Sequence, residues 1–100
     1  MSKWRKKPVV IDAFQWTGGP EQEEDPDWIN DALRKDWGTP GSARFKDSGT
    51  PEVTLEIWTL EGVIAAKQGD YIIRGVKKEI YPCRPDIFSA TYEKVETQKV

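Results

Sequence analysis

The chain has 100 residues, a formal net charge of −2 and no histidine. This length suits one domain with a real but small core. The charge balance argues against general binding to a nucleic-acid backbone, although it leaves room for a local basic patch. The absence of histidine excludes the commonest general base and the Ser-His and Cys-His nucleophile pairs, and with one cysteine it argues against zinc. We therefore expect a protein that is not an enzyme and needs no cofactor and no metal.

The sequence does not indicate secretion or insertion into a membrane. One cysteine allows no intramolecular disulfide, and no apolar run approaches the ~20 residues of a membrane span. The basic arm at residues 1–7 is followed by a β-like pattern and not by the apolar core of a signal peptide. We expect a cytosolic protein with no membrane partner.

The first half of the chain predicts one strand and one helix. Residues 8–17 alternate with period two and are rich in β-branched and aromatic side chains, which predicts a strand. Residues 25–38 have a clear helical pattern, with Asp25 suited to the N-cap and Pro26 to the first helical position. The apolar stripe of this helix consists of Trp28, Ile29, Ala32, Leu33 and Trp37.

The second half predicts short strands joined by turns. Residues 39–51 form a variable loop with a short strand inside it, and loops of this kind often carry binding residues. Residues 53–83 predict a meander of about four strands, with a hairpin connection at Glu61-Gly62. A short helical turn and a last strand, "TYEKV", follow at residues 85–95, and residues 96–100 form a polar tail.

Together these elements predict an α+β fold. We expect a curved, mostly antiparallel sheet of five to six strands, either open or partly closed into a barrel. One amphipathic helix covers one side of this sheet.

Cys83 is the one candidate nucleophile of the chain. A reactive thiol needs a depressed pKa, and the neighbouring Arg84 and the start of a helical turn at Pro85 are features that lower one. The alternative is a small packed side chain at the end of a strand. We favour this alternative, and we interpret Gly69 and Gly75 as turn residues because they form no phosphate-binding motif.

The best candidate binding surface is the basic arm around Trp4. Aromatic and basic side chains together stack on bases or nucleotides while holding phosphate. The alternative is that the Trp4 ring is tucked against the sheet. The full set of candidate binding residues is Trp4, Arg5, Lys6, Lys7, Trp16, Arg74, Lys77, Lys78 and Arg84.

Two long motifs resemble a family of small, uncharacterised tailed-phage and prophage proteins. The run "GDYIIRGVKKEIYPCRPDIFSATYEKV", residues 69–95, is similar to the C-terminal signature of that family. The start "RKKPVVIDAFQWTG", residues 5–18, and "TLEGVIAAKQGD", residues 59–70, resemble its opening and its hairpin. Gln68 stands where the family usually has proline and Lys78 where it usually has glycine, and we expect both departures to change turn geometry more than function.

The resemblance implies a phage or prophage origin and expression in the cytoplasm of a bacterial host, but no activity. Our first hypothesis is a non-enzymatic accessory protein that binds a host protein or sequesters a host signalling nucleotide. The alternatives are a nucleic-acid-binding module that uses the Trp4 arm, and a minor virion or assembly component. A homo-oligomer is compatible with each, since spare tryptophans and open sheet edges favour self-association.

Overall fold

The computed structural model describes residues 2–5, 8–19, 22 and 24–95. Within them the chain forms six strands and two helices. Neither helix is long and apolar enough to cross a membrane, as judged over the described residues. In chain order the elements are β1 (Asp12–Gln15), α1 (Asp27–Arg34), β2 (Ala43–Lys46), β3 (Thr54–Thr59), β4 (Gly62–Ala66), β5 (Tyr71–Arg74), β6 (Ile80–Cys83) and α2 (Pro85–Thr91).

The strands are divided between two antiparallel sheets of three strands each. Sheet 1 has the order β1-β5-β6, and sheet 2 has the order β2-β3-β4. The predicted α+β class with antiparallel pairing is confirmed, whereas the prediction of one curved sheet of five to six strands is met only in part. No closed barrel forms among the described residues, because β4 and β5 follow each other without pairing. The turn at residues 67–70 therefore carries the chain from one sheet to the other.

The two sheets and α1 enclose one apolar core. Sheet 1 contributes Phe14, Ile72 and Ile80 from one face, and α1 contributes Ile29 and Ala32. Full burial of a leucine or isoleucine side chain in such a core contributes roughly 1.5–3 kcal/mol. One face of sheet 2 completes the core with Ala43, Leu55, Ile57 and Ala66.

β1 is shorter than the strand predicted at residues 8–17. Asp12 lies opposite Arg74, the last residue of β5, so the residues before Asp12 have no strand to pair with. Val9 and Val10 are exposed for that reason. The strand prediction is therefore correct for Asp12–Gln15, which pair with β5, and wrong for the residues before Asp12, which lie beyond the end of β5.

α1 is also shorter than the helix predicted at residues 25–38. Pro26, and not Asp25, takes the N-cap position, with an extended backbone. Lys35 is extended too and ends the helix, while its backbone N–H donates to the carbonyl oxygen of Ala32. The helix therefore lacks the last turn that the apolar stripe predicted.

Trp37 leaves the predicted stripe because it packs on the outer face of sheet 2. Its ring meets Trp58 of β3 edge-to-face, with 5.5 Å between the ring centroids. The guanidinium of Arg44 lies 4.0 Å from the Trp37 ring centroid and forms an ion pair with Glu56 at 2.8 Å. Such aromatic and cation–π contacts contribute about 0.5–1.5 kcal/mol each.

α2 covers the second face of sheet 1. Phe88 stacks on Tyr71 with ring centroids 4.0 Å apart, and Tyr92 stacks on Phe88 at 5.1 Å. Ile73, which lies on this face of β5, is buried. The prediction of a last strand within residues 85–95 is wrong, because the end of that segment extends α2 and then adds Tyr92 to the aromatic stack.

The β3–β4 hairpin has its connection one position earlier than predicted. Thr59 pairs with Gly62, so Leu60 and Glu61 form the turn. The hydroxyl of Thr59 donates to the carbonyl oxygen of Gly62 at 2.6 Å and accepts from the backbone N–H of Glu61 at 3.1 Å. Through these two hydrogen bonds the side chain of Thr59 stabilises the turn.

Ser42 is a buried polar side chain next to β2. It is 0% exposed, and its hydroxyl has no hydrogen-bond partner within the described residues. Its backbone is satisfied on both sides, since its N–H donates to Thr39 and its carbonyl accepts from Trp58. The unpaired hydroxyl alone therefore carries a desolvation cost, which is about 1–3 kcal/mol for such a group.

We predict that Ser42→Ala raises the free energy of unfolding by about 1 kcal/mol, as measured by urea denaturation. Thr50→Ala is the matched control, because the Thr50 hydroxyl donates to the carbonyl oxygen of Asp47 at 2.7 Å. This control is expected to lose stability. A loss of stability in Ser42→Ala would contradict the interpretation.

Candidate binding site

An open cavity of about 730 Å³ lies where α1, the end of β1 and the first strands of sheet 2 meet. The loop at residues 48–51 forms one wall, so part of the predicted variable loop does line a cavity. A volume of this size is within the range of ligand pockets. We call it the aromatic groove and define it by Phe14, Trp16, Leu33, Phe45, Glu24 and Asp25.

Trp16 and Phe45 form the floor of the aromatic groove. Their rings are stacked at a centroid distance of 6.3 Å and an interplanar angle of 21°. Trp16 follows β1 in sheet 1 and Phe45 belongs to β2 in sheet 2, so the stack joins the two sheets. Trp16 is only 6% exposed, whereas Phe45 is 47% exposed and presents apolar surface to solvent.

The backbone of Trp16 is fixed by the turn that links the two sheets. Its N–H donates to the carbonyl oxygen of Asp70 at 2.9 Å, and its carbonyl accepts from the N–H of Gly69 at 2.7 Å. Gly18 approaches the Trp16 ring closely, and a Cβ atom there would lie 3.3 Å from the ring and 3.0 Å from Gln68. Its φ of +73° also favours glycine. The ring therefore has a defined position before any ligand arrives.

Gln22 holds the rim of the groove against β1. Its Oε1 accepts from the backbone N–H of Thr17 at 2.7 Å, and its Nε2 donates to the carbonyl oxygens of Gln15 and Glu24 at 2.7 and 2.9 Å. The hydroxyl of Thr17 donates to the same Oε1 at 3.2 Å. The side-chain amide of Gln22 therefore ties Glu24 at the rim to the end of β1.

Gln68 connects the opposite wall of the groove to the turn between the two sheets. Its Nε2 donates to the carbonyl oxygen of Pro51 at 2.8 Å, which ties the turn between the sheets to the loop at residues 48–51. This hydrogen bond couples the position of the groove wall to the turn between the two sheets.

The rim of the groove is acidic. Glu24 and Asp25 are both exposed, and neither forms an ion pair within the described residues. Two free carboxylates above an aromatic floor attract a cation and repel a phosphate. The groove therefore fits an apolar group that carries positive charge.

The predicted binding residues that the structure describes do not form one surface. Trp4 is 93% exposed and is not tucked against the sheet, while Trp16 lies in the groove floor. Arg84 forms an ion pair with Asp86 at 3.2 Å, which offsets its charge. Of the same set, Lys6 and Lys7 lie outside the described residues.

The remaining predicted cations lie at one end of sheet 1. Because β1 begins opposite the last residue of β5, the arm before β1 and the connection that holds Lys77 and Lys78 leave the sheet at the same end. Arg74, at the end of β5, is half-buried. Over the described residues, no hydrogen bond, ion pair or ring contact joins Trp4 to these cations. Lys77 and Lys78 instead line a second, separate cavity.

Cys83 has no sign of activation. Burial raises the pKa of the Cys83 thiol, and the nearby carboxylates of Asp70 and Asp86 raise it further. Its Sγ lies 3.6 Å from the carbonyl oxygen of Arg84, as expected for a weak thiol donor. Within the described part of the chain, no group of three or more acidic, cysteine or histidine side chains is placed to hold a metal ion.

Comparison with known proteins gives no relative for this chain. No protein-family model, no curated protein and no solved structure matches it. The resemblance of residues 69–95 to a phage family therefore stays a prediction.

We predict that iodoacetamide alkylates Cys83 more slowly in the folded protein than in the urea-unfolded chain at pH 8. Burial and two carboxylates disfavour the reactive thiolate. Mass spectrometry follows the reaction at the one cysteine of the chain. Asp86→Asn is expected to speed the folded-state reaction, because it removes one of the two negative charges. Faster alkylation of the folded protein than of the unfolded chain would instead reveal an activated thiol.

Proposed function

We propose that this chain is a non-enzymatic binding protein whose aromatic groove holds an apolar, positively charged segment of a partner protein. One observation carries the proposal: the half-exposed Phe45 ring, stacked on the buried Trp16, lines an open cavity together with Glu24 and Asp25, and neither carboxylate forms an ion pair within the described residues. In the setting that the sequence resemblance implies, the protein comes from a phage or prophage and the partner is a protein of the bacterial host.

The floor of the groove supports the proposal that the partner inserts an apolar side chain. Phe45 remains half-exposed although it lies in a strand next to the core, and Leu33 of α1 lines the opposite side. Covering such apolar surface is favourable by about 25 cal/mol per Å² removed from water. A leucine or aromatic side chain of a partner removes this surface from water without rearranging the core.

The acidic rim of the groove supports the proposal that the partner segment is positively charged. Glu24 and Asp25 stand beside the apolar floor, so a basic residue next to the inserted apolar residue reaches a carboxylate. The same charges disfavour a nucleotide in this groove, since its phosphates are repelled. Between the two ligands of our first hypothesis, the aromatic groove therefore favours the protein.

The N-terminal arm supports a second candidate function, the binding of single-stranded nucleic acid. Trp4 is almost fully exposed and stands between the exposed cations Lys3 and Arg5. An exposed aromatic ring flanked by positive charges is a stacking platform for a base with phosphates on both sides. This candidate uses no residue of the aromatic groove, so one variant separates the two.

We predict that a fluorescein-labelled hexapeptide of alternating arginine and leucine binds the protein, whereas the matched peptide of glutamate and leucine does not. Phe45→Ser is expected to weaken binding at least about tenfold in fluorescence anisotropy, because it removes half of the floor. Glu24→Gln combined with Asp25→Asn is expected to weaken it through the lost charge.

Trp4→Ser is the matched control, since it also removes an exposed aromatic ring but lies outside the groove. Thermal unfolding of each variant shows that the fold is kept. Equal binding of both peptides, or loss of binding only in Trp4→Ser, would contradict the proposed site.

A further inference from the structure

A second cavity, of about 480 Å³, lies on another part of the molecule and shares no lining residue with the aromatic groove. It is bordered by the β3–β4 hairpin, by the connection between β5 and β6, and by the segment after α1. We call it the lysine groove and define it by Lys35, Lys77, Lys78, Trp58, Tyr81 and Gly41.

We infer that the lysine groove binds a small molecule through two or more phosphate groups. Lys35, Lys77 and Lys78 line one cavity, and none of them forms an ion pair or a side-chain hydrogen bond within the described residues. Cations with free ammonium groups around a concave surface attract a polyvalent anion. This site is independent of the proposed partner groove.

The acidic residues of the lysine groove offset its cations only in part. Glu61 and Glu79 also line the cavity, which leaves one net positive charge among its charged side chains. The carboxylate of Glu79 is folded back against Gly75. Burial and a hydrogen bond with Tyr92 raise the pKa of Tyr81 to about 12, so the Tyr81 hydroxyl stays neutral and adds no negative charge.

Lys35 reaches the groove across a glycine. Its Nζ passes over Gly41, where a Cβ atom would lie 3.4 Å from the ammonium. Lys35 follows α1 directly and has an extended backbone, so the early end of the helix turns this residue toward the second cavity. Glycine at position 41 therefore leaves space for the ammonium group of Lys35 beside the cavity.

Lys78 has a backbone conformation that its side chain disfavours. Its φ is +65°, in the left-handed region where the Cβ atom of an L-residue is crowded. The N–H of Lys78 donates to the carbonyl oxygen of Gly75 at 2.9 Å, and glycine at position 78 allows the same turn without strain. A strained residue at an exposed turn points to a role for its side chain, and here Lys78 lines the cavity beside Lys77.

The test uses inorganic pyrophosphate and ADP as probes, in isothermal titration of the full chain at low ionic strength. We expect pyrophosphate to bind with a dissociation constant below about 1 mM, and Lys78→Gly and Lys77→Ala each to weaken it at least about fivefold. Tighter binding of ADP than of pyrophosphate identifies a nucleotide, and equal binding identifies the phosphate groups alone as the recognised chemistry.

Lys78→Gly separates the ligand role from a structural role. It is expected to raise the thermal midpoint, because it relieves the strain, while it weakens pyrophosphate binding. Lys67→Ala is the matched control, since Lys67 is an exposed lysine of another turn that does not line the groove. No binding of either probe, or equal weakening by Lys67→Ala, would overturn the inference.

Discussion

The stack of Trp16 on Phe45 is the aromatic contact between the two sheets at the edge of their shared apolar core. It joins the end of β1 in sheet 1 to β2 in sheet 2 across 6.3 Å between ring centroids. Its position is set by two backbone hydrogen bonds to the turn at residues 67–70, which is also the segment that carries the chain between the sheets. One aromatic contact therefore joins the two sheets and contributes the floor of the aromatic groove.

The two grooves carry charges of opposite sign, although the net charge of the chain is only −2. Within the described residues, the aromatic groove has two carboxylates without an ion pair at its rim, whereas the lysine groove has three ammonium groups without one. The low net charge of −2 argued against extended nucleic-acid binding, but it says nothing about how charges are distributed. The two proposals therefore assign two chemically different ligands to two separate grooves.

Much of the local structure is predictable from the sequence, because periodicity and turn residues are local signals. The α+β class with antiparallel pairing follows from them. The division into two sheets is not predictable in this way. The residues around the turn at 67–70 are equally compatible with a hairpin between β4 and β5, whereas in the structure the backbone of this turn bonds to Trp16. The same limit applies to Trp37, whose helical spacing is outweighed by a distant contact with Trp58.

The candidate sites were predictable only in part. Lys77, Lys78 and the loop before residue 51 have sequence signals, namely cations in a turn and a segment rich in glycine, serine and proline. The role of Gln22 has none, because an isolated glutamine in a polar stretch resembles any solvated residue. Its four hydrogen bonds depend on where the backbone of β1 lies in three dimensions.

Indole N–H resonances of the 100-residue chain, recorded by ¹H–¹⁵N NMR during titration with the arginine–leucine peptide, test the central claim most directly. Trp16→Phe assigns the resonance of the groove floor. We expect the Trp16 signal to shift while the signals of Trp37 and Trp58, on the outer face of sheet 2, stay in place. A shift of the Trp4 signal with an unchanged Trp16 signal would contradict the claim that the joint between the sheets is a binding floor.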